Sequence, residues 1–316
     1  MAKLDSGLLG QFKAAGYTTY LISANTAWIT SRSGFKADYE YLIDMFTERI
    51  VKSATSQRKL ERYIEYIKRK VYMLPKYLSE KYVLRKGGRK ILEILDKIKL
   101  NEPYFLFINV MEAHDPYTKK DLNVRKMRHY IAEWLATGKV NTEGLYLWKN
   151  YPQHAKAATE IALEIIRRIK QKGDWHNTLI IVTSDHGELL GDGGFHHVYS
   201  LLDGNIKVPL YVKYPTKPKK QQGYISLKDI PRIIDQQTEV VGNKTILAET
   251  YGVFSMEFIR TTAPFEINRF FHHKIRFISK NYDFIYNIYT KTIEKIFHGD
   301  IREINSILKN CCADVV

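Results

Sequence analysis

Cysteine is nearly absent from this sequence: Cys311 and Cys312 stand side by side near the C-terminus and are its only two. Neighbouring cysteines are strained as a disulfide and lack metal-ligand spacing, which excludes a disulfide-framed fold and a thiolate metal site and gives neither thiol a catalytic role. No run of eighteen apolar residues occurs, so no transmembrane helix is expected. The opening, MAKLDSGLLGQFKAAGY, has neither the apolar core nor the small-residue cleavage site of a signal peptide, and the expected location is cytoplasmic. Internal repeats and low-complexity segments are also missing.

Acidic residues are outnumbered, 34 Asp and Glu against 49 Lys and Arg, for a net charge of +15. Such a surface field favours anionic partners: nucleic acid, phospholipid headgroups, or a small phosphate or sulfate ester. The densest basic stretches, RKLERYIEYIKRK (58–70) and RKGGRKILEILDKIK (85–99), carry apolar residues at helical spacing and read as solvated helix faces. Nothing aromatic and basic marks a readout surface, so nucleic acid is not an expected partner. YPTKPKKQQG (214–223) reads as a polar loop.

What is present is 45% hydrophobic residues over 316 positions, enough for one large core with or without a smaller appended unit. Residues 4–15 have helical periodicity, and GYTTYLIS (16–23) reads as the strand that follows. From about 36 to 99 the pattern is mostly helical, with breaks at MLPK (73–76) and KGG (86–88), and predicts an excursion off the sheet. PYFLFINVM (103–111) is almost uninterruptedly apolar, as strands covered on both faces are, and stops at EAHDPY (112–117). Residues 121–136 and 152–172 read as helices, and HNTLIIVTS (176–184) and VPLYVKY (208–214) as further strands. This alternation predicts an α/β fold with a mainly parallel central sheet flanked by helices. After about 244, TILAETYG, MEFIRTT, FFHHKIRFIS and NYDFIYNIYT predict a small antiparallel sheet, closed by a helix at IREINSILK (301–309). The expected division is 1–243 for the α/β domain and 244–316 for a C-terminal α+β subdomain.

In such sheets ligands sit beyond the carboxyl ends of the strands. The polar clusters at 112–117 and 184–188 both leave strands at that end and are expected to share one crevice. Asp185 and His186 can turn toward one ion, and carboxylate plus imidazole suits Zn²⁺ or Mn²⁺ better than Ca²⁺. Taken alone, Asp-His-Gly is equally a turn with a capping aspartate and an exposed histidine. The loop GELLGDGGF then returns His196 and His197, and three histidines with an aspartate inside thirteen residues favour a site. His114, in MEAHDPY, is either a turn residue fixed by Asp115 and Pro116 or, in the crevice, a group that binds an anion or protonates a leaving oxygen. His272 and His273 read as edge-strand surface; His129, His154, His176 and His298 have no supporting neighbours.

LLGQFKAAGYTTYLISAN, PYFLFINVMEAHDPY, TLIIVTSDHGELLGDGGFHHVYSLLDGNIKVPLYV, YISLKDIPRIID and ILAETYG resemble, in that order, successive landmarks of the sulfatase family within the alkaline-phosphatase superfamily. The resemblance covers nearly the whole chain and implies hydrolysis of sulfate or phosphate esters around a divalent metal. Asp185 and His186 match the family's second pair of metal ligands. Sulfatases proper usually carry asparagine with calcium at the second place, whereas histidine is similar to the phosphodiesterase and phosphonate-hydrolase branches that use manganese or zinc. The implied cofactor is therefore a divalent metal: Mn, Zn or Ca. His114 matches the histidine of the His-x-Pro-Tyr motif, which contacts the ester oxygens and assists the leaving group. His197 matches the Gly-His position before the VPL strand, which contacts substrate or metal, with His196 as its rival for the inward place.

The resemblance also implies parts with no counterpart here. The family's first strand ends in an acidic metal pair, and a Cys/Ser-x-Pro-x-Arg segment after it supplies the nucleophile. Neither cysteine is followed by Pro-x-Arg, and TTAPFE (261–266) has Thr262 and Pro264 but no arginine. ISANTAWIT replaces the basic pair after GYTT and leaves Asn25 as a polar candidate. The expectation is half a site, short of a strand, a turn and a helix of about 30 residues or more, with a sheet edge left unpaired. The expected function is sulfatase-like hydrolysis of an anionic small-molecule ester, lost in this chain where the nucleophile segment is absent. The alternative is a non-catalytic anion-binding or scaffold protein on the same fold.

Overall fold

The computed structural model describes residues 7–45, 48–51, 86–117, 124–173, 175–197, 200–215, 223–236, 244–251 and 272–311. The elements, in order, are α1 (Leu8–Ala14), β1 (Thr18–Ser23), β2 (Tyr39–Ile43), β3 (Ile50–Val51), α2 (Gly88–Lys97), β4 (Tyr104–Asn109), α3 (Val124–Thr137) and α4 (Tyr151–Lys172). There follow β5 (Ile180–Thr183), β6 (Leu189–Leu190), β7 (Phe195–His196), α5 (Asp203–Ile206), β8 (Leu210–Lys213), α6 (Ile230–Gln236), β9 (Thr245–Thr250), β10 (Lys274–Ser279), β11 (Asp283–Asn287), β12 (Thr292–His298) and α7 (Ile301–Cys311). They fall into two compact units: Met1–Asn123 with Leu147–Trp175, and Val124–Tyr146 with His176–Val316.

In the first unit the strand order is β3-β2-β1-β4. β1, rich in β-branched and aromatic residues, pairs in parallel with both β2 and β4, and β3 joins antiparallel. The apolar stripe of α2 and the C-terminal turns of α4 close over one face, where Ile22, Ile43, Ile91, Ile94, Leu95 and Ile169 form the core. Each such side chain contributes roughly 1.5–3 kcal/mol when buried. The sheet's order leaves the loop after β4, which carries His114, at the carboxyl end of a strand.

The second unit holds three ladders among the described residues: β5 with β8, β6 with β7, and the four-stranded β12-β11-β10-β9. All are antiparallel. Phe277, Phe284 and Tyr286 of the four-stranded sheet pack with Ile304 of α7, giving the C-terminal sheet and closing helix expected from the short, turn-separated aromatic segments. The whole is an α/β fold with mixed strand directions and a C-terminal antiparallel sheet.

Two expectations are corrected. The stretch 36–99 is not mostly helical where it is described: Tyr39–Ile43 is a strand, because its aromatic and aliphatic residues fit a pleated surface beside β1. The basic run 58–70 and the break at 73–76 lie outside the described residues, as do 256–262 and TTAPFE. β4, expected to be covered on both faces, is half-buried along its whole length, and among the described residues it ends its ladder.

Candidate active site

The hairpin of β6 and β7 explains why a histidine pair eleven residues downstream returns to the Asp185–Glu188 turn. Leu189 pairs with His196 and Leu190 with Phe195. The glycine turn between them is closed by Gly191 N–H on the Gly194 carbonyl at 3.0 Å. Trp134 of α3 covers that turn and donates its indole N–H to the Gly193 carbonyl at 2.9 Å.

Asp185 and His186 leave β5 together. The His186 amide donates to Asp185 Oδ1 at 3.1 Å, and Ser184 Oγ donates to the His186 carbonyl at 2.7 Å. His186 Nδ1 stands 2.9 Å from the Gly187 carbonyl, so the proton is assigned to Nδ1 and the lone pair to Nε2. That Nε2 lies 3.6 Å from Asp185 Oδ2, and the aspartate side chain is 83% exposed. Two ligands each about 2.1 Å from a tetrahedral ion lie about 3.4 Å apart, so this pair fits two places on one divalent metal. Among the described residues no group of three or more His, Cys, Asp or Glu is arranged to hold a metal.

Of the two neighbouring histidines, His197 is the one that contacts His186 and Glu188. Its ring stacks on His186 with centroids 4.2 Å apart, and its Nδ1 stands 3.0 Å from Glu188 Oε2. Glu188 is buried, its side chain 4% exposed, and its carboxylate accepts the Nδ1–H, directing the chemistry of His197 to Nε2. His196 stacks on the far side of His197 at 3.8 Å and adopts φ +69°, a left-handed conformation that histidine tolerates better than most residues. Behind this cluster Gly187 N–H donates to the Asn205 carbonyl of α5 at 2.8 Å. A Cβ at Gly187 would lie 2.1 Å from the Gly204 carbonyl oxygen, so the close approach requires glycine.

His114 belongs to the first unit. Its Nδ1 meets both the Asp115 carboxylate at 2.7 Å and the Asp115 carbonyl at 2.8 Å. Burial pulls its pKa down, but the hydrogen bond and charge of Asp115 outweigh it, and the imidazole is held above the ordinary histidine range. The side chain keeps partial exposure, 36%, and is anchored at Nδ1. Asn25 is occupied locally: its Oδ1 accepts from the amides of Ala27 and Trp28.

The structure thus gathers Asp185, His186 and His197 and adds Glu188, which the sequence displayed in the same stretch without a role. Glu112, Lys86 and His154 surround the backbone of the His114 loop and were not foreseen, being separated by tens of residues. The KGG break before an amphipathic helix was the one local signal.

The family model described as Sulfatase matches residues 2–239, and the chain belongs to the sulfatase family. The N-acetylglucosamine-6-sulfatase of Capra hircus is 24% identical over 168 residues, covering 46% of this chain and 30% of the goat protein. The match thus spans less than a third of that relative's length. The phosphonate monoester hydrolase of Agrobacterium radiobacter superposes with a TM-score of 0.57 at 13% identity, over 98% of this chain and 80% of its own. A putative sulfatase from Bacteroides fragilis gives 0.54 at 14% identity, over 96% and 72%. These likenesses show the fold, which is alkaline-phosphatase-like.

Proposed function

We propose that the chain provides the second half of a metal-dependent hydrolase site for sulfate or phosphate-type esters. The observation that carries this reading is the Asp185–His186 pair, its two donor atoms 3.6 Å apart, backed by the buried Glu188–His197 couple in a chain of the sulfatase family. Asp185 and His186 would hold a divalent ion, which when bound supplies Lewis-acid polarisation and lowers the nucleophile's pKa. His197, oriented by Glu188, would present Nε2 to a tetrahedral oxyanion. His114, its pKa raised by the Asp115 hydrogen bond and charge against the pull of burial, would deliver a proton to the departing oxygen. No Cys/Ser-x-Pro-x-Arg motif occurs in the 316 residues, so the reading assigns the nucleophile to none of them.

The names of similar proteins choose the assays: a 6-O-sulfated N-acetylglucosamine and an aryl phosphonate monoester, beside aryl sulfate and aryl phosphodiester. The test is elemental analysis and titration calorimetry with Mn²⁺, Zn²⁺ and Ca²⁺ on the purified chain, repeated on Asp185→Ala and His186→Ala. Binding near one ion per chain that falls at least tenfold in both variants supports the reading. Equal affinity in all three proteins would refute the ligand assignment. Turnover tests the catalytic part, and His114→Ala should lose most against esters with poor leaving groups.

A second reading, a non-catalytic anion-binding or scaffold protein, is favoured by the incomplete ligand set among the described residues. It predicts no specific metal and no turnover with any of the four substrates.

A further inference from the structure

Three buried polar residues of the first unit have no part in the hydrolase reading so far: Lys86 is 3% exposed, Glu112 2% and His154 1%. A lysine is almost never fully buried without paired partners, so its contacts state what it does. The Lys86 ammonium donates to the His114 carbonyl and, at 3.4 Å, to the Glu112 carbonyl. It also sits 5.2 Å from the centre of the Tyr117 ring. In the opposite direction, Glu112 Oε1 accepts the backbone amides of Lys86 at 3.1 Å and Gly88 at 2.7 Å. The two segments, 86–88 and 112–114, therefore grip each other reciprocally.

The remaining carbonyl of the loop is also taken. Tyr117 Oη donates to Ala113 at 3.1 Å, and His154 Nδ1 stands 3.0 Å from the Glu112 carbonyl. Three successive carbonyls, 112 to 114, are thus fixed by buried side chains. Gly88 is required for the grip, because a Cβ there would lie 2.6 Å from Glu112 Oε1 and 2.8 Å from Ile161. These contacts act on backbone, while the His114 Nδ1 is aimed at Asp115.

We infer that Lys86 is a positioning residue for His114: its buried ammonium fixes the 112–114 backbone so that the imidazole stays aimed at Asp115 and its outer face stays presented. The catalytic importance of this device rests on the proposed leaving-group role of His114; the device itself does not. The charged and titratable groups set against His114 are Asp115 and Lys86, and they move its titration in opposite directions. The Asp115 contacts raise it, and the lysine charge lowers it.

That opposition makes the test decisive. The His114 titration is followed by NMR in the full chain, in wild type, Lys86→Met and Lys86→Gln. If Lys86 positions the loop, its loss slackens the Asp115 contacts and the midpoint falls toward 6.5, the unperturbed value for histidine. If Lys86 is only a neighbouring charge, its loss raises the midpoint; a rise or no change overturns the inference. Failure of both variants to fold would assign Lys86 to global stability and overturn it equally. His114→Ala, assayed with esters of graded leaving groups, reports separately on the hydrolase reading: a flat response there ends the catalytic role of His114 while the titration result still judges the clamp.

Discussion

His197 lies flat against His186, ring centroids 4.2 Å apart and planes 17° from parallel. His197 is fixed through Nδ1 to the buried Glu188 carboxylate, and His186 through its own Nδ1 to the Gly187 carbonyl. Each imidazole therefore has its own Nδ1 acceptor, and the stack joins the two.

Glu188→Ala leaves the buried Nδ1–H of His197 without its acceptor. The expected cost is about 1–3 kcal/mol of stability, read as a lowered urea midpoint. Glu188→Gln restores an acceptor oxygen at the same place and should recover most of it.

Gly187→Ala places a methyl group against the Gly204 carbonyl, backbone that cannot swing aside as a flexible side chain would. The expected loss is about 2–4 kcal/mol, together with weaker metal binding, since the amide that seats the loop on Asn205 must move. Calorimetric unfolding and metal titration of the variant check both.

His154 gives a pH signature. Burial first, and the Lys86 charge second, lower its pKa from 6.5 to about 4. Between those values the unfolded chain takes up a proton that the folded chain refuses. The contribution of His154 to stability is therefore complete above pH 6.5 and is lost as pH falls to 4, by at most about 3 kcal/mol. Glu112, pushed up by burial against the opposing pull of the Gly88 and Lys86 amides, acts with the opposite sign, so the total curve does not isolate His154. The difference between wild type and His154→Gln does: the variant's stability should fall less steeply below pH 6.5 in urea titrations.

Arg276 is completely buried and binds Asp283 through two nitrogens, at 2.7 and 2.6 Å, the Leu201 carbonyl at 2.8 Å and Asp203 at 2.7 Å. Arg276→Met strands the buried Asp283 carboxylate, at an expected cost of about 3–5 kcal/mol. Arg276→Lys should rescue only part, because an ammonium cannot reproduce the planar fork. Equilibrium unfolding measures both.

The sequence was legible where one physical signal dominated locally. Residues that favour strands marked β1, apolar runs marked β4 and β5, helical patterning marked α3 and α4, and turn-separated aromatic segments marked the C-terminal sheet. Tyr39–Ile43 escaped because five residues carry too little periodicity to stand out from the amphipathic stretches that follow it. Asp185, His186 and His197 could be read because a hairpin brings them together within thirteen positions. Glu188 was visible but silent, since nothing local says whether a carboxylate faces water or an imidazole. Lys86 and His154 were beyond reach, because their partner Glu112 lies 26 and 42 residues away and only the packed helices bring them together.

The grip of Arg276 on the Leu201 carbonyl joins positions 75 residues apart. During synthesis, Asp203 has Lys207 as its local counter-charge and gains the second, Arg276, only once β10 has left the ribosome. The loop that carries Asp185, His186 and His197 therefore gains part of its brace only when β10, far downstream of it in the chain, has folded against α5.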